Sequence, residues 1–171
     1  MKEQTVKLLV ELLKNSKRSD RELARVLNTS QPTITRARQK LEREGLVKGY
    51  TLIADWRKLG FEIMSFTFAK MRAEMRSEEM LRKTKKYTAK SPCAIYVAFG
   101  EGFGMTGVII SLHRSYREYM QELSSFRIEW KDYIEDIKSF TTALGENEIR
   151  ELSFKYLAKA LLKQYSKEKN Q

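Results

Sequence analysis

The sequence predicts an α+β chain: a small helical domain over residues 1–60, an antiparallel sheet with helices over 61–145, and a closing helix over 146–171. Three observations lead there. Apolar residues recur at helical spacing up to Gly45. Beyond Gly60 the pattern changes to short alternating or β-branched runs separated by two helical stretches. The charge is also uneven. Residues 1–60 hold 14 Lys/Arg and 7 Asp/Glu, a net +7 of the chain's +11, so an anionic partner is expected to meet the N-terminal third.

With 171 residues, 42% of them hydrophobic, the chain can bury a core as one ordinary domain or two small ones. The lone Cys93 excludes an internal disulfide or a cysteine-rich zinc site. The lone His113 leaves little for histidine-based metal binding or catalysis. No metal and no cofactor are expected. The apolar N-terminal stretch is too short and too charged for a signal peptide or a membrane span, so the cytoplasm is the expected location.

Residues 4–14, "QTVKLLVELLK", give a first helix with a broad apolar face. Ser19 and Glu22 form a capping box for a second, whose stripe is Leu23, Ala24 and Leu27. Ser30 caps a third, Pro32 fits its first turn, and Gly45 ends it. Ile34, Ala37 and Leu41 mark its buried side. "LVKGYTLIADW" then reads as a small hairpin or wing, and Gly60 as a hinge.

The second part opens with an alternating strand, "FEIMSFTFAKMR" (61–72). Ser77, Glu78 and Glu79 begin a helix over 77–89. "CAIYVAFG" and "TGVIISLH" are strands around a glycine-rich turn. A helix over 115–130 and a strand over 133–144 complete the order β-α-β-β-α-β, which is a split βαβ, ferredoxin-like sandwich. Residues 146–167 form the last helix, with Ile149, Leu152, Tyr156 and Ala160 on one stripe beside Leu157 and Leu161. That stripe must be covered, either in cis or by a partner subunit.

At about 100° per residue, Pro32, Arg36, Gln39 and Arg43 of the third helix project away from its buried side, flanked by Thr33, Thr35 and Lys40. Arginine can bind guanine edges bidentately, glutamine can bind adenine, and threonine hydroxyls reach bases or phosphate. These residues begin in the first half of the helix, the part by which recognition helices enter a major groove. Thr33, Thr35, Arg36 and Gln39 are the base-contact candidates. Ser30, Lys40, Arg43 and Lys48 are the phosphate-contact candidates, and Gln31 completes the DNA-binding set. A solvated basic face is the plain alternative. The short turn, the following wing and the concentrated charge count against it.

The segment "ELARVLNTSQPTITRARQKLEREGLVKGYTLIADWRKLGF" resembles the DNA-binding domain of the Lrp/AsnC (feast/famine) regulators. The matching features are "ELA", Ser30 opening the third helix, Ile34, Arg36, "LEREGLVKGY", Asp55 and Leu59-Gly60. The β-α-β-β-α-β order is similar to that family's ACT-like, RAM-type effector domain. The resemblance implies a winged helix-turn-helix regulator, without enzymatic activity, that binds pseudo-palindromic double-stranded DNA. It further implies a homodimer or a higher even-numbered oligomer assembled through the second domain, and an amino-acid effector. Two departures stand out. Ala37 and Arg38 replace a basic and then an apolar residue. The turn "GEGFGMTG" lacks the family's acid after the aromatic, so Gly100, Gly102 and Phe103 either line an effector cleft or form a plain turn.

The remaining signals are weaker. "GEGFG" leads into a strand rather than a helix, which argues against a phosphate cradle. Cys93 reads as a half-buried small hydrophobe, and His113 as structural or exposed. Glu78-Glu79 and Glu135-Asp136 lie in a helix start and a strand start, and neither suggests catalysis. "RKTKKY" (82–87) either touches DNA or is a solvated face. Two other functions fit the same pattern: a non-specific architectural DNA binder, or a metabolite-sensing or enzymatic ferredoxin-like protein whose helical domain is a scaffold.

Overall fold

The computed structural model describes residues 3–168. It comprises two compact units. The first runs through Ala54 and takes in the stretch from Leu152 onward; the second is Asp55–Glu151. This partition differs from the tripartite one expected from the sequence, because the closing helix joins the N-terminal unit.

In the first unit, α1 (Glu3–Lys14), α2 (Asp20–Val26) and α3 (Gln31–Arg43) form a helical cluster. Leu8 and Leu12 of α1, Leu23 and Ala24 of α2, and Ile34 and Leu41 of α3 make its core. The breadth of the apolar face of α1 has a second cause. Its Val6 and Val10 pack against Ala158 of α6 (Leu157–Glu168), with Leu13, Leu161 and Tyr165 alongside. The last helix is therefore covered in cis, through Ala158, Leu161 and Tyr165, of which the sequence pattern marks Leu161. The helix does not begin at residue 146. Ser153 is extended and accepts a bond from the Lys155 amide, opening a 3-10 turn over Phe154–Tyr156 that leads into α6. Ile149 and Leu152 precede that start and are exposed.

The helix ends follow local chemistry. The Ser19–Glu22 capping box forms in both directions. After α2, Asn28 adopts a left-handed conformation (φ 49°), the Asn28 amide bonds to Arg25, and the Thr29 amide reaches back to Ala24. This is a Schellman closure, with asparagine tolerating the position that glycine usually fills. Gly45 (φ 71°) closes α3 in the same way, its amide bonding to Glu42 and the Leu46 amide to Leu41. The hairpin expected after α3 does not form: residues 47–55 pair no strands. Two isolated strands without a third, or without a surface to pack on, are marginal.

In the second unit, β1 (Ile63–Met71), α4 (Glu78–Thr88), β2 (Ala94–Gly102), β3 (Met105–His113), α5 (Tyr116–Glu129) and β4 (Ile134–Ala143) follow the expected order. The sheet order is β2-β3-β1-β4 with antiparallel neighbours. Ser77 caps α4 by accepting the Met80 amide, with Glu78 and Glu79 in the first turn. Alternation along β1 divides the sheet into two faces. Ser65, Thr67, Ala69 and Met71 point one way, and the last two join Met75, Met80 and Trp130 in the helix-side core. Met64 and Phe66 point the other way, with Leu112, Leu144 and Ile110. On that open face Phe66 lies 6.1 Å from Phe140, and Tyr96 is exposed.

His113 ends β3 fully buried. Its Nε2 lies 2.8 Å from the Ser111 hydroxyl, and its ring meets Tyr119 edge-on. Burial holds its pKa below the ordinary 6.5, despite Glu118 and Glu122 nearby. The folded state thus favours neutral imidazole, while the unfolded chain takes up a proton below about pH 6.5. The His113 contribution to stability is complete above that pH and fades as pH falls through 6.5. Urea unfolding of wild type and His113→Gln across pH 5–8 should therefore show a slope over this range that the variant lacks.

Candidate nucleic-acid interface

Helix α3 is held against the start of α2 by a polar clamp. Arg38 donates through Nε to Asp20 at 2.8 Å and through Nη2 to the Arg18 carbonyl at 3.0 Å. Thr35 donates to the other Asp20 oxygen at 2.7 Å and to the Gln31 carbonyl at 3.2 Å. Arg38 also lies over the Tyr50 ring, whose hydroxyl bonds Glu42. The clamp is mostly shielded, with Arg38 and Asp20 side chains 17% and 21% exposed, so its bonds compete little with water. It fixes α3 against the start of α2 and brings the post-helix segment back onto α3.

Asp20→Ala should therefore cost the N-terminal unit about 1–3 kcal/mol, since it leaves a shielded guanidinium without its carboxylate. Denaturant unfolding followed by helical circular dichroism reads that loss.

With α3 fixed, its outward side is exposed as the helical spacing requires. Arg36, Gln39 and Arg43 are exposed and make no side-chain hydrogen bond or ion pair among the described residues. Gln31 and Lys48 are exposed as well. Lys40 sits 3.5 Å from Glu44, one turn on, a solvent-screened pair that a phosphate can displace.

Three of the expected contacts are engaged within the chain. The Thr35 hydroxyl is taken up by the clamp, turned toward α2. Ser30 Oγ accepts the Thr33 amide at 3.3 Å and lies 2.7 Å from the Thr33 hydroxyl. Since Pro32 has no amide proton, few unpaired donors remain at this helix start for an anion. Sequence spacing brought Arg36, Gln39, Lys40 and Arg43 to one side; it missed Arg38 and Asp20. The signal was present: Arg38 lies four residues after Ile34 and three before Leu41, on the inner flank.

In the other unit, Phe103 and Gly104 form the two-residue turn between β2 and β3, both with positive φ (54° and 73°), a mirror-image turn matched to strand twist. Phe103 is 92% exposed. Gly100 and Gly102 lie in β2, exposed. None of the three lines the cleft between the sheet and helices α4 and α5.

Comparison with known proteins accords with this geometry. Residues 1–48 match the family model described as winged helix-turn-helix DNA-binding. An uncharacterized HTH-type transcriptional regulator of Pyrococcus abyssi is 34% identical over 76 residues, 44% of this chain and 51% of that protein. The HTH-type transcriptional regulator LrpC of Bacillus subtilis is 41% identical over 56 residues, 33% of this chain and 39% of LrpC. The matched stretches thus span about half or less of these relatives. The crystal structure of an AsnC family transcriptional regulator from Agrobacterium tumefaciens superposes with a TM-score of 0.74 at 19% identity, covering 92% of this chain and 99% of that one. The fold is that of the Lrp/AsnC regulators. Within the Lrp/AsnC fold, α2 and α3 are the helix-turn-helix, and the four-stranded sheet with α4 and α5 is the second domain. The segment after α3, where the sequence predicts a wing, pairs no strands.

Proposed function

We propose that this chain is a sequence-specific, DNA-binding transcriptional regulator in the cytoplasm. The observation that carries the proposal is the outward row on α3: three exposed polar and basic side chains without intramolecular partners, on a helix whose opposite side is locked by Arg38 and Asp20. Arg36 and Gln39 act as base readers, while Lys40, Arg43 and Lys48 contact phosphates. Ser30, Gln31 and Thr33 lie at the helix start, close to the backbone of the groove edge. Thr35 acts through the clamp and not on a base. Of the described residues, none belongs to a helix long and apolar enough to cross a membrane, which is compatible with this location.

The reading requires two copies, so that two recognition helices meet half-sites about one helical turn apart. The open sheet face, with Phe66, Phe140, Ile110 and Tyr96 presented together, supports pairing through the second unit in a dimer or a higher even-numbered assembly. Apolar patches of this kind mark association surfaces.

Fluorescence anisotropy with labelled genomic fragments against scrambled DNA, over a salt series, tests this reading. Affinity should fall steeply with salt as phosphate contacts release counterions. The preferred fragment should retain an advantage of roughly a thousandfold or more. Equal affinity for both DNAs at every salt concentration would instead indicate an architectural binder.

A further inference from the structure

The helix-side face of the sheet buries unusually small and polar residues. Ser65, Thr67 and Ser111 are all buried there, where sheet cores ordinarily carry Val, Ile or Leu. Ala69 and Gly107, paired in register, continue the row. These short side chains leave a largely apolar cleft of about 90 Å³ between the sheet and helices α4 and α5. Protein interiors seldom leave voids larger than one water, and this one has room for about three.

Three of the residues lining it carry a buried polar atom without a partner. His113 Nδ1, Tyr119 Oη and Trp130 Nε1 are buried with no hydrogen bond, in side chains only 2%, 4% and 1% exposed. Buried polar atoms nearly always find a partner, and three orphans around one cavity are a pattern rather than an accident of packing. A second groove, with Lys90, Glu118 and Gln121 on its rim, shares Tyr87, Ser91 and Glu122 with the cleft. The cleft therefore borders that surface groove.

We infer that this cleft binds a small, neutral, oxygen-bearing molecule with a compact apolar body, of the alcohol or carbonyl class. Each part of the description has a cause. The apolar walls and the volume limit the occupant to roughly five heavy atoms. Trp130 can only donate, so the occupant must accept; Tyr119 can do either. An ammonium group accepts nothing, and a carboxylate would face Glu122 on the wall and Glu118 in the adjoining groove. The inference concerns the second unit alone and stands or falls separately from DNA binding.

The test uses the full-length, ¹⁵N-labelled protein without DNA, and isobutanol as the probe. The indole N–H resonance of Trp130 should move saturably while that of Trp56, outside the cleft, stays in place. Propionate, also five heavy atoms but anionic, should bind at least about tenfold more weakly. Tyr119→Phe should melt at a higher temperature without the probe, because an unpartnered hydroxyl is gone, yet bind isobutanol severalfold more weakly; a purely structural tyrosine would not do both. Thr67→Ile, which fills the cleft, should abolish the shift. Should that variant fail to fold, Tyr119→Phe and the isobutanol–propionate comparison still decide. A Trp130 resonance that ignores isobutanol, or follows it without saturating alongside Trp56, would mean the cleft holds only water and would overturn the inference.

Discussion

Arg36→Ala is expected to bind the preferred DNA about 1–3 kcal/mol more weakly, roughly fivefold to more than a hundredfold, while its affinity for scrambled DNA changes much less. The side chain lies two residues after buried Ile34 and so projects from the far side of α3. Because it is exposed and makes no side-chain hydrogen bond or ion pair among the described residues, its removal should leave the fold intact. That separation makes the variant informative: an unchanged melting temperature with lost selectivity assigns the effect to base reading. Lys40→Ala supplies the contrast. Among the described residues its ammonium pairs with Glu44, so its loss should weaken binding evenly across sequences and lower the salt dependence by about one phosphate contact.

The second large effect is structural. Trp130→Ala should destabilise the α/β unit by about 3–5 kcal/mol, a large share of the 5–15 kcal/mol typical of a whole domain. Trp130 is 1% exposed and sits at the centre of the helix-side core. Tyr87 meets it edge-on at 5.7 Å, Tyr133 packs at 6.4 Å, and the Lys83 ammonium lies 4.8 Å over the ring. Truncation removes all three contacts and leaves a void that the strands cannot collapse into. Urea unfolding followed by near-ultraviolet circular dichroism reads the loss. Trp130→Phe, which keeps most of the ring volume, should lose well under half as much.

What could be read without coordinates was whatever local chemistry decides. Ser19 with Glu22, Ser30 with Pro32, and Gly45 specify helix ends within a few residues, and each acts as the spacing predicts. The β-α-β-β-α-β order follows from periodicities that change sharply at Gly60. The misreadings arise where distant groups or competing local bonds decide. Arg38 looks like one more surface cation until Asp20, eighteen residues earlier, supplies its carboxylate. The apolar face of α1 announces two neighbours but cannot say that one is α6. Helical periodicity ran on through residues 146–152, while Ser153 imposed its own start. The segment after α3 alternates as a hairpin should, yet lacks a surface that would stabilise one. The outward set on α3 was legible because exposure on a helix follows from angle alone. Thr35 left that set because its flank position lets its hydroxyl reach Asp20.

The central claim is that α3 reads sequence from its outward side in a two-fold assembly. Its most direct test is selection of bound fragments from sheared genomic DNA at moderate salt, using wild type and Arg36→Ala in parallel. Wild type should enrich a pseudo-palindrome with half-sites about one helical turn apart, and the variant should lose that enrichment while still retaining DNA. Flat profiles from both proteins, or the same motif recovered equally by both, would contradict the claim.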